Sequence, residues 1–360
     1  MIQSMPGAAA SGPFSLRVWT PEDHQHGDAR DLMGRLTLRQ AYEQHVLPYL
    51  TTDKKSPGTL EAYTNALGHW ERLMPTNPTL EELDDQLLEL FRSKADQAPT
   101  TCNKWFRHIR AILSRMGPRT HDRRTRRNQR YFFEVPFLDD LQEADPDPIE
   151  LPDASIDGLY QNCHVATWPP QKRTGVTPAK WWMTSIVYLV NYGPRRDDWL
   201  WLPWAKMKLA EKEFSYVAKK TGKTHHLVAN TALLAHLHDW PRTTEYVFSP
   251  TQSHRQLYRE FHRIQAAAGV ARPDGQPIGF HDLRQTAAAR YHGFALGTAE
   301  MLLGHSLRGD QSVTKTHYLG KQYLKPLWQA IRTIPQPASF LPVIEQYQTA
   351  LKRDPQRRFF

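Results

Sequence analysis

Gly279-Phe280-His281-Asp282-Leu283-Arg284 opens the stretch whose residue types and spacing could do chemistry. If the chain is helical after Gly279, His281 and Arg284 lie three apart on one face, while Leu283, Ala287 and Tyr291 follow at four-residue steps on another. One face packs and the other presents an imidazole and a guanidinium. A planar guanidinium offers a phosphate two parallel donors, which lysine cannot copy, and an imidazole titrating near neutrality can take up or return a proton. Alone, such a pair is usually a solvated helix surface. Its surroundings raise it: Arg195, Arg196, Lys219 and Lys220 come before, and His305 and Tyr318 come after.

Breaking a phosphodiester without a metal takes a nucleophile, an acid for the departing sugar oxygen, and cations for the non-bridging oxygens. Arg195 and Arg196 compete for one cationic role, because neighbouring helical side chains point about 100° apart and only one can enter a site. Lys219 and Lys220 precede Thr221-Gly222, and as successive strand residues they would alternate faces, so only one can serve. His225-His226 alternate likewise and read as ordinary strand residues. Leu302-Leu303-Gly304-His305 reads as a helix end: Thr298 can cap the start, and Gly304 can take the left-handed conformation that turns His305 back. Tyr318 follows Thr314-Lys315-Thr316-His317, and Tyr323, five positions on, is its competitor on another helical face.

This order of an early arginine, a lysine before Thr-Gly, HDLR, LLGH and a late tyrosine resembles the tyrosine recombinase family, the phage integrases and related site-specific recombinases. The resemblance spans roughly residues 35 to 330. It implies that Arg195 and Arg284 clamp the phosphate, with Asp198 supporting Arg195. Lys220 would protonate the leaving 5′ oxygen, His281 would accept or share the tyrosine proton, His305 would bond a phosphate oxygen, and Tyr318 would be the nucleophile. It further implies cleavage and rejoining through a 3′-phosphotyrosine, without cofactor, metal or ATP. The partner would be double-stranded DNA, bound by a homotetramer assembled from chains that are monomers in solution. Two departures stand out: Asp198 where the family usually has Glu, and a longer span from His305 to Tyr318. A topoisomerase-like or resolvase-like strand transferase, and a non-catalytic DNA-binding regulator with the same fold, are the alternatives.

The elements that must position these residues are mainly helical with a small β-sheet: a helical N-terminal domain and a mixed α/β catalytic domain. Residues 1–34 carry Gly, Pro, Ser and His without apolar periodicity and read as a mobile arm. Residues 35–117 predict four helices. Thr37 caps the first through Leu50, with Leu38, Tyr42, Val46 and Tyr49 near one side. Ser56-Pro57 opens the second, with Leu60, Tyr63, Leu67 and Trp70 on its stripe. The third follows Thr79 with Leu80, Leu83, Leu87, Leu88 and Phe91 inside; the fourth runs from about Thr101 to Met116. This unit resembles the core-binding domain of the family, in which Lys104, Arg107, Arg110 and Arg115 would face phosphates. Such contacts position a duplex without reading its sequence.

Residues 118–150 switch from an arginine run, including Arg123, Arg124, Arg126 and Arg127, to an acidic, proline-threaded stretch, and predict an extended, poorly packed linker. The arginines could follow a phosphate backbone or form a solvated loop. Residues 151–334 predict the catalytic domain, with strand-like pieces around 214–220 and 224–229 flanking Thr221-Gly222. Residues 335–360 are a tail that the resemblance allows to be exchanged between protomers; docking on its own subunit is the alternative.

Composition fits this reading without choosing it. Lys and Arg number 46 against 37 Asp and Glu, a formal charge of +9, which favours a polyanion but does not separate nucleic acid from an anionic membrane. Cys102 and Cys163 lack metal-ligand spacing and read as reduced, buried thiols. Residues 1–20 have no sustained apolar run, and the most apolar stretch, 181–192, is too short to span a bilayer. The expected setting is the cytoplasm, on the nucleoid, with no membrane.

Overall fold

Thr37 starts the first helical run by capping it: its hydroxyl accepts the Gln40 N–H, and the Gln40 side chain accepts the Thr37 N–H at 2.9 Å. The computed structural model describes residues 34–116, 135–143, 149–248, 253–294, 297–304 and 324–354. The chain divides into two units, Met1–Asp145 and Pro146–Phe360, with the boundary inside the segment read as a linker. It is mainly helical, and its three-stranded sheet lies in the second unit.

In the first unit, Tyr42–Val46 is a π-helical turn between the α-helical pieces Leu38–Ala41 and Leu47–Thr52. The extra residue per turn rotates the helical piece after it, so Leu50 is buried and Tyr49, expected on the apolar side, is 40% exposed. Helix α1 (Pro57–Leu73) is capped by Ser56 and buries Tyr63, Ala66, Leu67 and Trp70. The single helix expected after Thr79 is two pieces. A 3-10 turn at Leu80–Glu82 ends at Leu83, and α2 (Asp85–Ser93) starts afresh because the Asp84 carboxylate accepts the Leu87 N–H. Helix α3 (Pro99–Met116) buries Trp105, Phe106, Ile109, Ile112 and Leu113.

Residues 135–143 depart from the expected poorly packed linker. The Asn103 side chain, buried on α3, donates to the Leu141 carbonyl and accepts the Leu141 N–H, both at 2.8 Å. Arg110 donates to the Leu138 carbonyl and to Asp140, and Leu138 is 2% exposed. One buried amide and one guanidinium therefore give this strand of chain the backbone partners that a sheet would otherwise supply.

The second unit is built around a helix that is apolar on all sides and accordingly buried. Its early elements are α4 (Asp153–Gln161), α5 (Pro178–Tyr192) and the short α6 (Arg196–Leu200). Helix α5 buries Trp181, Trp182, Ile186, Val187, Tyr188 and Leu189. Trp181 and Trp182 still satisfy their indole N–H groups, on the carbonyls of Phe248 and Trp168. Strands β1 (Met207–Lys208), β2 (Glu213–Val217) and β3 (Thr224–Val228) form an antiparallel sheet in that order, with Tyr216 opposite His225. Then come α7 (Thr231–Leu237), α8 (His254–Ala268), α9 (Phe280–His292), α10 (Thr298–Leu303), α11 (Lys325–Thr333) and α12 (Leu341–Arg353). Among the described residues no helix is long and apolar enough to cross a membrane.

The described part of the tail packs on its own unit. Gln336 exchanges side-chain hydrogen bonds with Asn191, the Ser339 N–H donates to Asp157, and Phe340 is fully buried beside Tyr160 and His236. Tyr347 of α12 meets His238 edge-on. Phe340→Ala should therefore cost about 3–5 kcal/mol in chemical denaturation, with a midpoint that does not depend on protein concentration. A cost below about 1 kcal/mol would show that the tail is not docked this way.

Candidate active site

A buried carboxylate fixes the start of α9. Asp282 is 1% exposed; it accepts the Gly279 N–H at 2.7 Å and a two-pronged ion pair from Arg272 at 2.9 and 2.7 Å. A charge so deeply buried needs such partners, and here they lock both the helix start and the loop before it. From that start Leu283, Ala287 and Tyr291 are fully buried, as their spacing predicts. His281 remains exposed, while Arg284, three residues on, is only 5% exposed.

Arg284 joins two helix ends. Its Nη1 donates to the Gly193 carbonyl, past the end of α5, and its Nη2 donates to the Leu303 carbonyl of α10 at 2.9 Å. Carbonyls at helix C-termini lack helical partners and carry partial negative charge, so a guanidinium suits them. Both helices stop on left-handed glycines, Gly193 at φ 53 and Gly304 at φ 67. A Cβ on Gly193 would lie 3.1 Å from that of Ala287, and one on Gly304 would run into the His225 ring. The two bonds use two of the five guanidinium donors.

The second arginine is Arg195, half-buried, whose carbonyl starts α6 by accepting the Asp198 and Trp199 N–H groups. Burial lowers the pKa of Arg284, and the charge of Arg195 lowers it further. Arg196 instead pairs with Asp197 at 3.2 Å. Of the two adjacent arginines, Arg195 is thus the one near Arg284. Asp198, 4% exposed, accepts the Lys219 N–H at 2.8 Å. Burial raises its carboxyl pKa, and the Lys219 N–H and then the two arginines oppose that rise.

Two residues without a marked role in the sequence, His225 and Arg272, support these groups. The His225 ring stacks on Tyr216, centroids 4.7 Å apart and nearly parallel. Its pKa is pushed down to about 4, first by burial and then by the charges of Arg284 and Arg195. It is a neutral imidazole wedged between the sheet and the Gly304 turn. One signal was available: on β3, His225 shares a face with buried Leu227, whereas His226 lies on the other face. Arg272 carried no motif that could have marked it.

The lysines do not alternate along a strand as expected. Strand β2 ends at Val217, and the Ala218 carbonyl accepts the N–H groups of both Thr221 and Gly222, so Lys219 and Lys220 sit in the turn itself. Side-chain direction there is set by the turn and not by strand pleat. Lys220 is exposed. The structure thus brings together Arg195, Asp198, Arg284 and the backbone of Lys219, with His281 exposed on the first turn of the Arg284 helix. His305, Tyr318 and Tyr323 lie outside the described residues, as do Arg123, Arg124, Arg126 and Arg127. On α3, Lys104 and Arg107 are exposed, Arg110 is paired with Asp140, and Arg115 lies over the Tyr49 ring at 3.8 Å.

Residues 171–323 match the family model described as the phage integrase family. Among solved structures, the chain is similar to a lambda integrase tetramer bound to a Holliday junction, with 16% identity, TM-score 0.55, and coverage of 83% of this chain and 82% of that one. A lambda integrase dimer bound to a COC′ core site gives 15% identity, TM-score 0.54, and coverage of 86% and 84%. The Tn1549 transposon integrase in complex with transposon right-end DNA gives 12% identity, TM-score 0.53, and coverage of 87% and 100%. At these identities the likeness is one of fold. No curated protein matches the chain.

His225 and His236 are both held neutral, each with its pKa pushed down to about 4 mainly by burial, against 6.5 for an ordinary imidazole. Between those values the unfolded chain binds more protons than the folded one. The stability these groups contribute is therefore complete above pH 6.5 and is lost as the pH falls towards 4. The thermal midpoint should drop across that window, and His225→Phe, which keeps the ring stack, should flatten part of the drop. An equally steep drop in His225→Phe would show that His225 is not held neutral.

Proposed function

We propose that the chain, whose residues 171–323 match the phage integrase family model, is a tyrosine recombinase that cleaves and rejoins DNA site-specifically through a 3′-phosphotyrosine on Tyr318. The observation that carries this reading is the pairing of Arg284 and Arg195. Two guanidiniums are held close enough to oppose each other's charge, one of them nearly buried, with the buried carboxylate Asp198 beside them. Such a site has surplus positive charge in a place poor in water, and a phosphate diester relieves it.

In the proposed reaction the Tyr318 hydroxyl oxygen attacks the scissile phosphorus and passes its proton to His281. Arg195 and Arg284 bind the non-bridging oxygens as their charge grows, and His305 adds a hydrogen bond. The bond from phosphorus to the 5′ oxygen breaks, and Lys220 protonates that oxygen. Because the phosphate stays ester-linked to tyrosine, a 5′ hydroxyl from a second duplex can reverse the step without ATP or metal. On this reading four copies act on two duplexes, Lys104 and Arg107 meet phosphates, and the protein works in the cytoplasm on the nucleoid.

A nicked substrate that loses its 5′ fragment after cleavage should trap a covalent protein–DNA adduct. The adduct should be lost in Tyr318→Phe and kept in Tyr323→Phe; its survival in Tyr318→Phe would overturn the assignment. Arg284→Ala should slow adduct formation by about 10²- to 10³-fold in single-turnover assays, the scale for removing one transition-state donor.

A further inference from the structure

Lys219 ties down the turn between β2 and β3, and it is not the residue assigned to chemistry. The Lys219 N–H donates to the buried Asp198 carboxylate at 2.8 Å. Its ammonium lies 3.8 Å from the centroid of the Trp201 ring. Trp201 is itself set edge-on against Tyr246, at 5.1 Å, and Tyr246 pairs with Pro203 in a β-bridge. Asp198 lies in α6, Trp201 follows its last residue, and Arg195 is the residue just before its first. Backbone and side chain of Lys219 thus both fasten the hairpin turn to the helix that carries the arginine.

We propose that Lys219 and Trp201 are positioning residues: they hold the 218–222 turn against α6, so that Lys220 is presented at a fixed place relative to Arg195. An ammonium over an indole face is attracted by the ring quadrupole, and the attraction persists at a partly exposed site such as this. Adjacent Lys220 is exposed and sits where the Ala218 carbonyl closes the turn. The arrangement gives the neighbouring lysines separate tasks, one to anchor and one to reach. The role of Lys220 rests on the function proposed above; the anchor itself does not.

Two readouts test this. The first needs no DNA: amide exchange of Thr221 and Gly222, whose N–H groups close the turn, in wild type, Trp201→Ala, Lys219→Ala and Lys219→Arg. Exchange should quicken by about two- to fivefold in the two alanine variants, the equilibrium factor of an exposed cation–π contact, and stay near wild type in Lys219→Arg. Unchanged exchange in Trp201→Ala would overturn the anchor. The second compares single-turnover cleavage of a substrate with the normal 5′ oxygen and one with bridging sulfur, whose thiolate leaves without a proton. Lys220→Ala should lose most activity on oxygen and regain it on sulfur. Trp201→Ala and Lys219→Ala should lose only a few-fold on oxygen and nothing on sulfur. A larger loss and larger sulfur recovery in Lys219→Ala than in Lys220→Ala would make Lys219 the acid and refute the division of tasks. If wild type forms no adduct on either substrate, the proposed function fails, and amide exchange still decides whether the anchor exists.

Discussion

The bond pair from Arg284 to the Gly193 and Leu303 carbonyls is the constraint on which the second unit's site depends. It requires α5 and α10 to end within reach of one guanidinium, and each end is a left-handed glycine that a side chain would disturb. Hydrogen bonds from charged donors contribute about 1.5–3 kcal/mol each, so the pair is also a clasp between helices far apart in sequence. The Asp282–Arg272 lock then fixes the start of α9 and with it the height at which Arg284 emerges. The contacts that hold these helices together are thereby the ones that fix where the Arg284 guanidinium stands.

Around that clasp the charges are arranged by burial. Asp198 is the one carboxylate at the meeting of Arg195 and Arg284 among the described residues, and a backbone N–H from the lysine turn takes one of its oxygens. His225 could have added a third positive charge; burial and the two arginines keep it neutral instead. It fills the space under Gly304 as an aromatic wedge, so the turn leading towards His305 rests on a ring and not on a cation. The hairpin and the α10 turn are in this way both seated on groups that feel the charge of the two arginines.

Much of this was legible in the sequence because it depends on spacing. The packed face Leu283, Ala287 and Tyr291 and the glycine stop at 304 rest on helical geometry that the sequence displays. The illegible parts depend on side-chain bonds without periodicity. Tyr49 is exposed because a π turn intervenes, and Asp84 splits a helix because its carboxylate is a better cap than a continuation. Residues 135–143 pack because Asn103 and Arg110 supply partners from α3. The placing of Lys219 and Lys220 in a turn is illegible because no local signal shows that Ala218 closes it so early.

The claim that the guanidinium of Arg284, and not merely its charge, builds the site is tested most directly by single-turnover adduct formation in Arg284→Lys, set beside Arg284→Ala. A lysine keeps the positive charge but cannot bridge two helix-end carbonyls and still offer paired donors to a phosphate. Arg284→Lys should fall to within about tenfold of Arg284→Ala. Activity in Arg284→Lys within about tenfold of wild type would contradict it.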